Sequence, residues 1–260
     1  MAGRGALIIN ADDWGRDSET TDRILECVLH GAVSSASAMV FMEDSERAAA
    51  IAIENGVDVG LHLNFTTPFS GSKYPARVAD HQQRLGAFLL GGRLAQAVFH
   101  LGLTNSFHYV VTAQIEEFQR LHGRQPGRID GHHHMHLCAN VLFAGLIPRG
   151  AIARRNFSFL PGEKSGINRR YRTLSDWVLA RQHRLTDLFY SLPPLDPPQR
   201  LDRIFRAAKQ SFVEVETHPV NPEEYRFLRE GGLERWVDMS TISRNFALPE
   251  RSAKRRAAAS

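Results

Sequence analysis

Short apolar runs alternate with amphipathic segments along most of the chain. The first run, at 6–10, is of the kind expected for a strand covered on both faces. Comparable runs predict further strands at 37–41, 57–65, 128–131, 151–156 and 211–217.

Helical periodicity fills the intervals between these strands. One helix is predicted to begin near Thr20 or Thr21 and to end near Gly31. The Ala-rich segment 45–55 precedes Gly56, which stands where a C-cap glycine belongs. Further helices are predicted around 115–121, 138–147 and 200–210. Repeated strand–helix alternation predicts an α/β fold, with a parallel sheet and helices outside it.

Two stretches break this alternation. Residues 66–111 begin with Gly, Ser and Pro and are predicted to hold short helices, for instance around 94–100. Residues 160–200 are polar, rich in arginine and interrupted by two proline pairs, so we expect an excursion from the core.

Length and charge limit the classes of protein to consider. A chain of 260 residues suits one α/β barrel of ~250 residues. We place a single barrel domain at 1–250 and a basic, disordered tail at 251–260. The tail holds four of the 32 basic residues and no acid, which leaves 28 basic against 28 acidic residues. Because this body is neutral, we expect no nucleic-acid partner.

The cysteines and the apolar windows bear on the compartment. Cys27 and Cys138 lie far apart in apolar, helix-like stretches, so we expect buried free thiols and no disulfide. No window approaches the ~20 apolar residues of a membrane span, and the N-terminus lacks a long apolar signal region. We therefore expect a cytoplasmic protein without a membrane span, and a homodimer stays open.

Titratable side chains follow four of the predicted strands. Because the carboxyl ends of parallel strands meet at one edge of a sheet, we expect these side chains to share a site. The four sets are Asp12-Asp13, His62 with Asn64, the run 130–136, and Glu216 with His218.

The run 132–136 holds four of the twelve histidines and is the strongest signal for a metal. Four imidazoles cannot all share one ion, and His132, which directly continues a strand, is the best ligand candidate. The other three, His133, His134 and His136, are expected to orient it, line the cleft or cap the next helix. Asp12 and Asp13 project differently, so one can bind a metal while the other faces water; helix capping is the alternative.

One carboxylate and two imidazoles leave positions open for water and substrate. A divalent ion lowers the pKa of that water and polarises a carbonyl or phosphoryl oxygen. A free aspartate can then act as general base, and a remote histidine can protonate the leaving group. The residues therefore predict a metal-dependent hydrolase.

The ordered motifs resemble those of the YdjC-like carbohydrate deacetylases, over residues 6 to about 220. The resemblance implies a distorted TIM-like (β/α) barrel, with parallel strands and outer helices. It also implies one divalent metal ion and removal of an N-acetyl group from an amino-sugar glycan or glycolipid. One aspartate and two histidines suit Zn, Co, Mn, Fe or Mg, of which we expect Mg or Zn. The motifs are Asn10-Ala11-Asp12-Asp13-Trp14-Gly15, Gly60-Leu61-His62, Gly123-Arg124-Gln125-Pro126, the run 130–136 and Thr217-His218-Pro219.

Motif matching also assigns roles. It implies that Asp13, His62 and His132 bind the ion, while Asp12 is the general base and His218 the general acid. Trp14 replaces a more usual Phe on an aromatic wall, and Gly131 replaces a common Ser with no expected effect on ligation. Residues expected to contact substrate or to support the ligands are Trp14, Asn64, Asp130, His133, His134, His136 and Arg154.

Other functions stay open. A metal-dependent phosphoesterase or a non-sugar amidohydrolase would use the same residues. A two-His-one-carboxylate iron oxygenase is disfavoured, because such enzymes usually have an all-β jelly roll and this chain alternates strand and helix. A non-catalytic glycan-binding protein would not need Asp12 beside Asp13.

Overall fold

The computed structural model describes residues 5–92, 94–159 and 166–248. Within these residues, strands and helices alternate, as the sequence predicts. The strands are β1 Ala6–Trp14, β2 Ser35–Ala38, β3 Val59–Leu63, β4 Arg128–Gly131, β5 Ile152–Ala153, β6 Leu188–Ser191 and β7 Phe212–Thr217. The α-helices are α1 Ser18–Leu29, α2 Ser45–Asn55, α3 Ala76–Leu90, α4 Thr104–His122, α5 Ala139–Ala144, α6 Gly166–Ala180, α7 Pro198–Ala207 and α8 Pro222–Arg229. Short 3₁₀ turns lie at Ala95–Ala97, Leu101–Leu103, His132–Leu137 and Met239–Thr241.

All of these strands belong to one parallel sheet in the order β5-β4-β3-β2-β1-β7-β6. The sheet is curled. Arg154, which follows β5, reaches Glu214 of β7 across the interior, with its Nε 2.7 Å from the carboxylate. A bridge between Ile152 and Arg184, in the segment before β6, brings the two edges together. The predicted α/β fold, a distorted TIM-like barrel, is confirmed as a curled half-barrel with helices around it.

The hydrophobic core lies between the sheet and the helices that surround it. Helix α1 buries Ile24 and Cys27 against it, and α4 buries Val110 and Phe118. Cys27 and Cys138 are both buried and free, as predicted. In the described parts of the chain, no helix is both long and apolar enough to cross a membrane.

One sequence prediction about elements is wrong, and another is incomplete. The stretch 160–200 contains α6 and also β6, which pairs with β7 at the edge of the sheet. Its strand was hidden because an edge strand is only half covered, and LFYS lacks a continuous apolar run. The stretch 66–111 contains the 15-residue α3 rather than short helices alone. The tail 251–260 lies outside the described residues.

Candidate active site

A bulge at the end of β1 directs two adjacent carboxylates to the same place. The pairing of β1 with β2 shifts register between Ala11 and Trp14, and Asp13 has a left-handed backbone with φ of 71°. In a regular strand Asp12 and Asp13 would point to opposite faces. The bulge re-aims one of them, so both approach Nε2 of His62, Asp13 at 3.4 Å and Asp12 at 4.0 Å.

His62 is buried on β3 and is oriented by a carboxylate behind it. Its Nδ1 lies 2.7 Å from Oδ1 of Asp130, the residue paired with it on the neighbouring strand β4. With Nδ1 engaged in this way, Nε2 is the nitrogen that faces Asp13. A carboxylate behind a histidine is the common support for a metal-ligating ring.

His132 completes a three-residue cluster. It follows β4 directly, and its Nδ1 lies 2.9 Å from Oδ1 of Asp13. One ligand atom each from Asp13, His62 and His132 lie within 4.8 Å of one another. Two imidazole nitrogens and a carboxylate oxygen suit a divalent transition metal and leave positions free for substrate.

A second cluster, Asp12, His62 and Asp130, meets the same distance condition but suits an ion less well. The guanidinium of Arg154 lies 2.6 Å from Asp12 and 3.2 Å from Asp130. A permanent cation already stands between these carboxylates, and Asp130 is occupied in orienting His62. Asp13 also has an arginine partner, but Arg16 contacts its Oδ2 at 3.1 Å, and Oδ1 faces the two histidines. The donor set therefore favours Asp13, His62 and His132.

The charges of the cluster also suit a bound cation. Burial alone would lower the pKa of His62, but Asp12, Asp13 and Asp130 outweigh it and raise that pKa to about 10. Burial would raise the pKa of Asp13, but hydrogen bonds with His132 and His62 hold it well below its ordinary value. The carboxylates thus stabilise positive charge at this point of the interior.

Arg154, which follows β5, reaches across the barrel interior to carboxylates of β1 and β7. Its side chain is fully buried and contacts four carboxylates, with a two-pronged contact to Asp12 at 2.6 and 2.7 Å. It also lies 2.7 Å from Glu214 and 3.3 Å from Glu216 on β7. Burial opposes ionisation of Asp12, but Arg154 and then His62 lower its pKa. Asp12 is therefore ionised and fixed in position.

The remaining histidines of the run diverge through a strained turn. His133 and His134 both have left-handed backbones, with φ of 54° and 57°. The His133 ring lies against that of His132, with centroids 4.1 Å apart and planes tilted by 34°, whereas Nε2 of His134 lies 3.6 Å from Glu216. His136 is buried, with Nε2 2.9 Å from the Arg154 carbonyl oxygen, and burial lowers its pKa to about 3.

Gly131 makes this turn fit. A Cβ there would lie 2.9 Å from the backbone nitrogen of His136 and 3.0 Å from its Cβ. The expectation that serine could stand at this position without effect concerned ligation alone. In this chain the packing of the turn requires glycine.

Comparison with known proteins now bears on this geometry. The model of the family described as YdjC-like protein matches residues 6–247, which include every element of the site. The chain belongs to the YdjC-like family.

Several YdjC-like relatives have names that state an activity. The chain is 36% identical over 132 residues to a chitooligosaccharide deacetylase of Serratia marcescens, covering 50% of either chain. It is 28% identical over 216 residues to a carbohydrate deacetylase of Clostridium beijerinckii, covering 82% of this chain and 80% of that one. The matches to the first relatives thus span only about half of their length.

A solved structure shows the same fold at low identity. A putative cellobiose-phosphate cleavage protein of Enterococcus faecalis V583 superposes with a TM-score of 0.61 and 20% identity. The superposition covers 92% of this YdjC-like chain and 96% of the other.

Among the described residues, three predicted site residues form no hydrogen bond or ion pair with Asp13, His62 or His132. Trp14 is fully buried in the core, and its Nε1 donates to the carbonyl oxygen of Ala48 at 3.1 Å. The Asn64 side chain is buried and bonds the backbone of Thr66 and Thr67. His218 follows β7 and is half-buried, and its backbone N–H donates to Glu224 at 2.9 Å.

The sequence analysis missed several polar residues inside the barrel. Those that contact Arg154, Asp130 or Asp12 there are Asn10, Ser37, Arg128 and Glu214. Glu216, which was predicted at the end of the last strand, contacts Arg154 as well. A signal existed in β7, where Val213-Glu214-Val215-Glu216 alternates apolar and acidic residues. Such alternation in a buried parallel strand indicates a polar interior.

Proposed function

We propose that this chain is a divalent-metal-dependent deacetylase that removes an N-acetyl group from an amino-sugar glycan or glycolipid. The observation that carries the proposal is the Asp13–His62–His132 cluster beside an aspartate, Asp12, held by Arg154. The names of the YdjC-like relatives support the reaction class and a carbohydrate substrate.

Asp13, His62 and His132 would hold the ion, with Zn or Mg as the expected metal. When bound, the ion polarises the acetamide carbonyl and lowers the pKa of the attacking water. Asp130 contributes by fixing the His62 ring through the 2.7 Å contact to Nδ1.

Asp12 is the proposed general base. Its Oδ2 lies 4.0 Å from Nε2 of His62, at the cluster, while Arg154 contacts both of its oxygens. The arginine keeps the carboxylate ionised and oriented towards the point where water must be deprotonated. Asp12 is thus available to accept a proton from the water.

His218 is the proposed general acid. It follows β7, the strand that carries Glu214 and Glu216, so it extends from the same end of the sheet as Asp12. In this role its imidazole would protonate the departing amine, and acetate and the free amino sugar would leave.

A substrate panel tests the reaction class. N-acetylated chitooligosaccharides, a phosphate ester and a non-sugar acetamide would be incubated with the metal-loaded protein, and acetate and phosphate would be measured. Acetate release from the sugars alone is expected, and Asp12→Asn should abolish it. Phosphate release, or acetate release from the non-sugar amide alone, would favour the alternative hydrolases; full activity of Asp12→Asn would remove the proposed base.

A further inference from the structure

The outer face of α6 exposes large apolar side chains. Leu174 and Trp177 are 59% and 55% exposed. They lie three residues apart and therefore on one face of α6. Arg170 lies on this face four residues before Leu174, and Arg181 follows four residues after Trp177, just beyond the helix. Folding does not require a tryptophan and a leucine to be exposed together on one helix face, and such a patch indicates a contact surface.

The same face is cationic. Arg169 and Arg170 are exposed on α6, and the guanidinium of Arg181 lies 4.3 Å from the centre of the Trp177 ring. The only acid in α6 is Asp176, which is buried and bonded to Arg155 and Asn156. Among residues 5–92, 94–159 and 166–248, no ion pair involves these three arginines of the outer face.

Neighbouring elements add apolar surface. Helix α5, which packs beside α6, exposes 68% of Phe143. Asn140 of α5 bonds the backbone of His100 at 2.9 and 3.0 Å and so ties the 3₁₀ segments to this helix. In those segments Leu94 and Leu101 are 74% and 83% exposed.

Charge separates the candidate partners of this surface. If a second copy docked through the same face, its arginines would lie against those of the first copy, and repulsion between like charges would oppose association. An acidic polymer would pair with the arginines but leave Leu174 and Trp177 in water. An anionic bilayer satisfies both, because its phosphates attract arginine and its interfacial region accepts tryptophan and leucine.

We propose that the outer face of α6 docks this protein on an anionic lipid bilayer. This surface is separate from the proposed catalytic residues. The inference does not depend on the deacetylase assignment, and its test requires no activity measurement.

Vesicle co-sedimentation of the full chain tests the proposal. Vesicles of phosphatidylcholine with about 30% phosphatidylglycerol are compared with pure phosphatidylcholine, at low and high salt. We expect binding to the anionic vesicles only, weakened by salt, with a blue shift of Trp177 fluorescence. Arg169→Glu/Arg170→Glu should weaken binding by more than about tenfold, since each interfacial arginine contributes about a factor of five and two are lost.

Matched controls separate this face from other causes. Arg203→Glu changes an exposed arginine of α7, and Leu29→Ser changes a leucine of α1 that is 65% exposed; both should bind like the parent. Trp177→Ser should weaken binding as the arginine variant does. A variant ending at residue 250 removes the basic tail and should retain most of the binding.

Four results would overturn the proposal. They are no binding to anionic vesicles, equal binding to neutral ones, undiminished binding of Arg169→Glu/Arg170→Glu, and loss of binding on removal of the tail alone. A dimer in solution that Trp177→Ser dissociates would assign the face to a second copy instead.

Discussion

Replacing Arg154 by methionine tests the interior network on which the site depends. The substitution keeps an unbranched side chain but leaves Asp12, Asp130, Glu214 and Glu216 without their shared cation. Removing one partner of a buried ion pair costs about 3–5 kcal/mol. Because four buried carboxylates lose their partner here, we expect the upper end, about 5 kcal/mol near neutral pH.

The loss should depend on pH with a definite sign. Arg154 lowers the pKa of Asp12 and of Asp130, so its stabilisation is present above the unfolded-state pKa of about 4 and is lost as pH falls. Without Arg154, burial raises the pKa values of Asp12 and Asp130. Protonation of these carboxyl groups at low pH then removes the unpaired buried charge that destabilises the variant. The deficit of Arg154→Met should therefore be clearly smaller near pH 5 than near pH 7.5.

Thermal unfolding followed by circular dichroism at these two pH values is the assay. For a domain of this size, about 5 kcal/mol corresponds to a fall in Tm of roughly 10–20 °C. Arg155→Met, one residue along, is the matched control. Arg155 is partly exposed and Asp176 keeps its bonds from Asn156, so this change should cost about 1 kcal/mol. If Arg154→Met does not fold, Arg154→Lys should show an intermediate loss, since lysine keeps the charge without the fork geometry. If Tm falls by less than about 3 °C, or equally at both pH values, Arg154 does not stabilise these buried carboxylates as described.

Three further predictions follow from the site. Asp130→Asn should weaken divalent-metal affinity about 10–100-fold, because Asp130 orients His62; unchanged affinity by calorimetry would contradict this. Gly131→Ser should cost about 1–3 kcal/mol in unfolding experiments, whereas Gly127→Ser, whose Cβ would meet nothing within 4 Å, should cost little. Burial raises the pKa of Glu214 to about 7, only partly offset by its arginine partner, so parent stability should fall as pH rises from about 4.5 to 7. Glu214→Gln should remove on the order of 3 kcal/mol of that fall, and an unchanged pH slope would show that another group causes it.

The fold was predictable where the sheet is covered on both faces. β1 and β7 are long and buried along almost their whole length, and the αL glycine Gly56 ends α2 as the sequence predicts. β6 escaped prediction because it is an edge strand, and its place depends on pairing with β7 rather than on local apolar pattern. Helix α3 escaped because its N-terminus lacks a side-chain cap and follows a Gly- and Pro-containing segment.

The strand-end rule brought the right residues to one edge but could not orient them. It placed Asp12, Asp13, His62 and His132 together, and the structure adds the bulge that turns both aspartates inward. Arg154 was expected to contact substrate or to support the ligands, and its guanidinium pairs with carboxylates and lies over the ring of Phe189. Its contact with Glu214 arises only when the sheet curls, which no local pattern encodes.

Metal content is the most direct test of the central claim. The parent protein, Asp13→Ala and Asp12→Asn would be purified without chelator or nickel resin, incubated with Zn²⁺ or Mg²⁺, freed of excess ion and analysed for metal. We expect about one tightly held ion per chain in the parent and in Asp12→Asn, and less than about a tenth of that in Asp13→Ala. A parent that retains no ion, or an Asp13→Ala variant that retains it fully, would contradict the assignment of Asp13, His62 and His132 as the metal site.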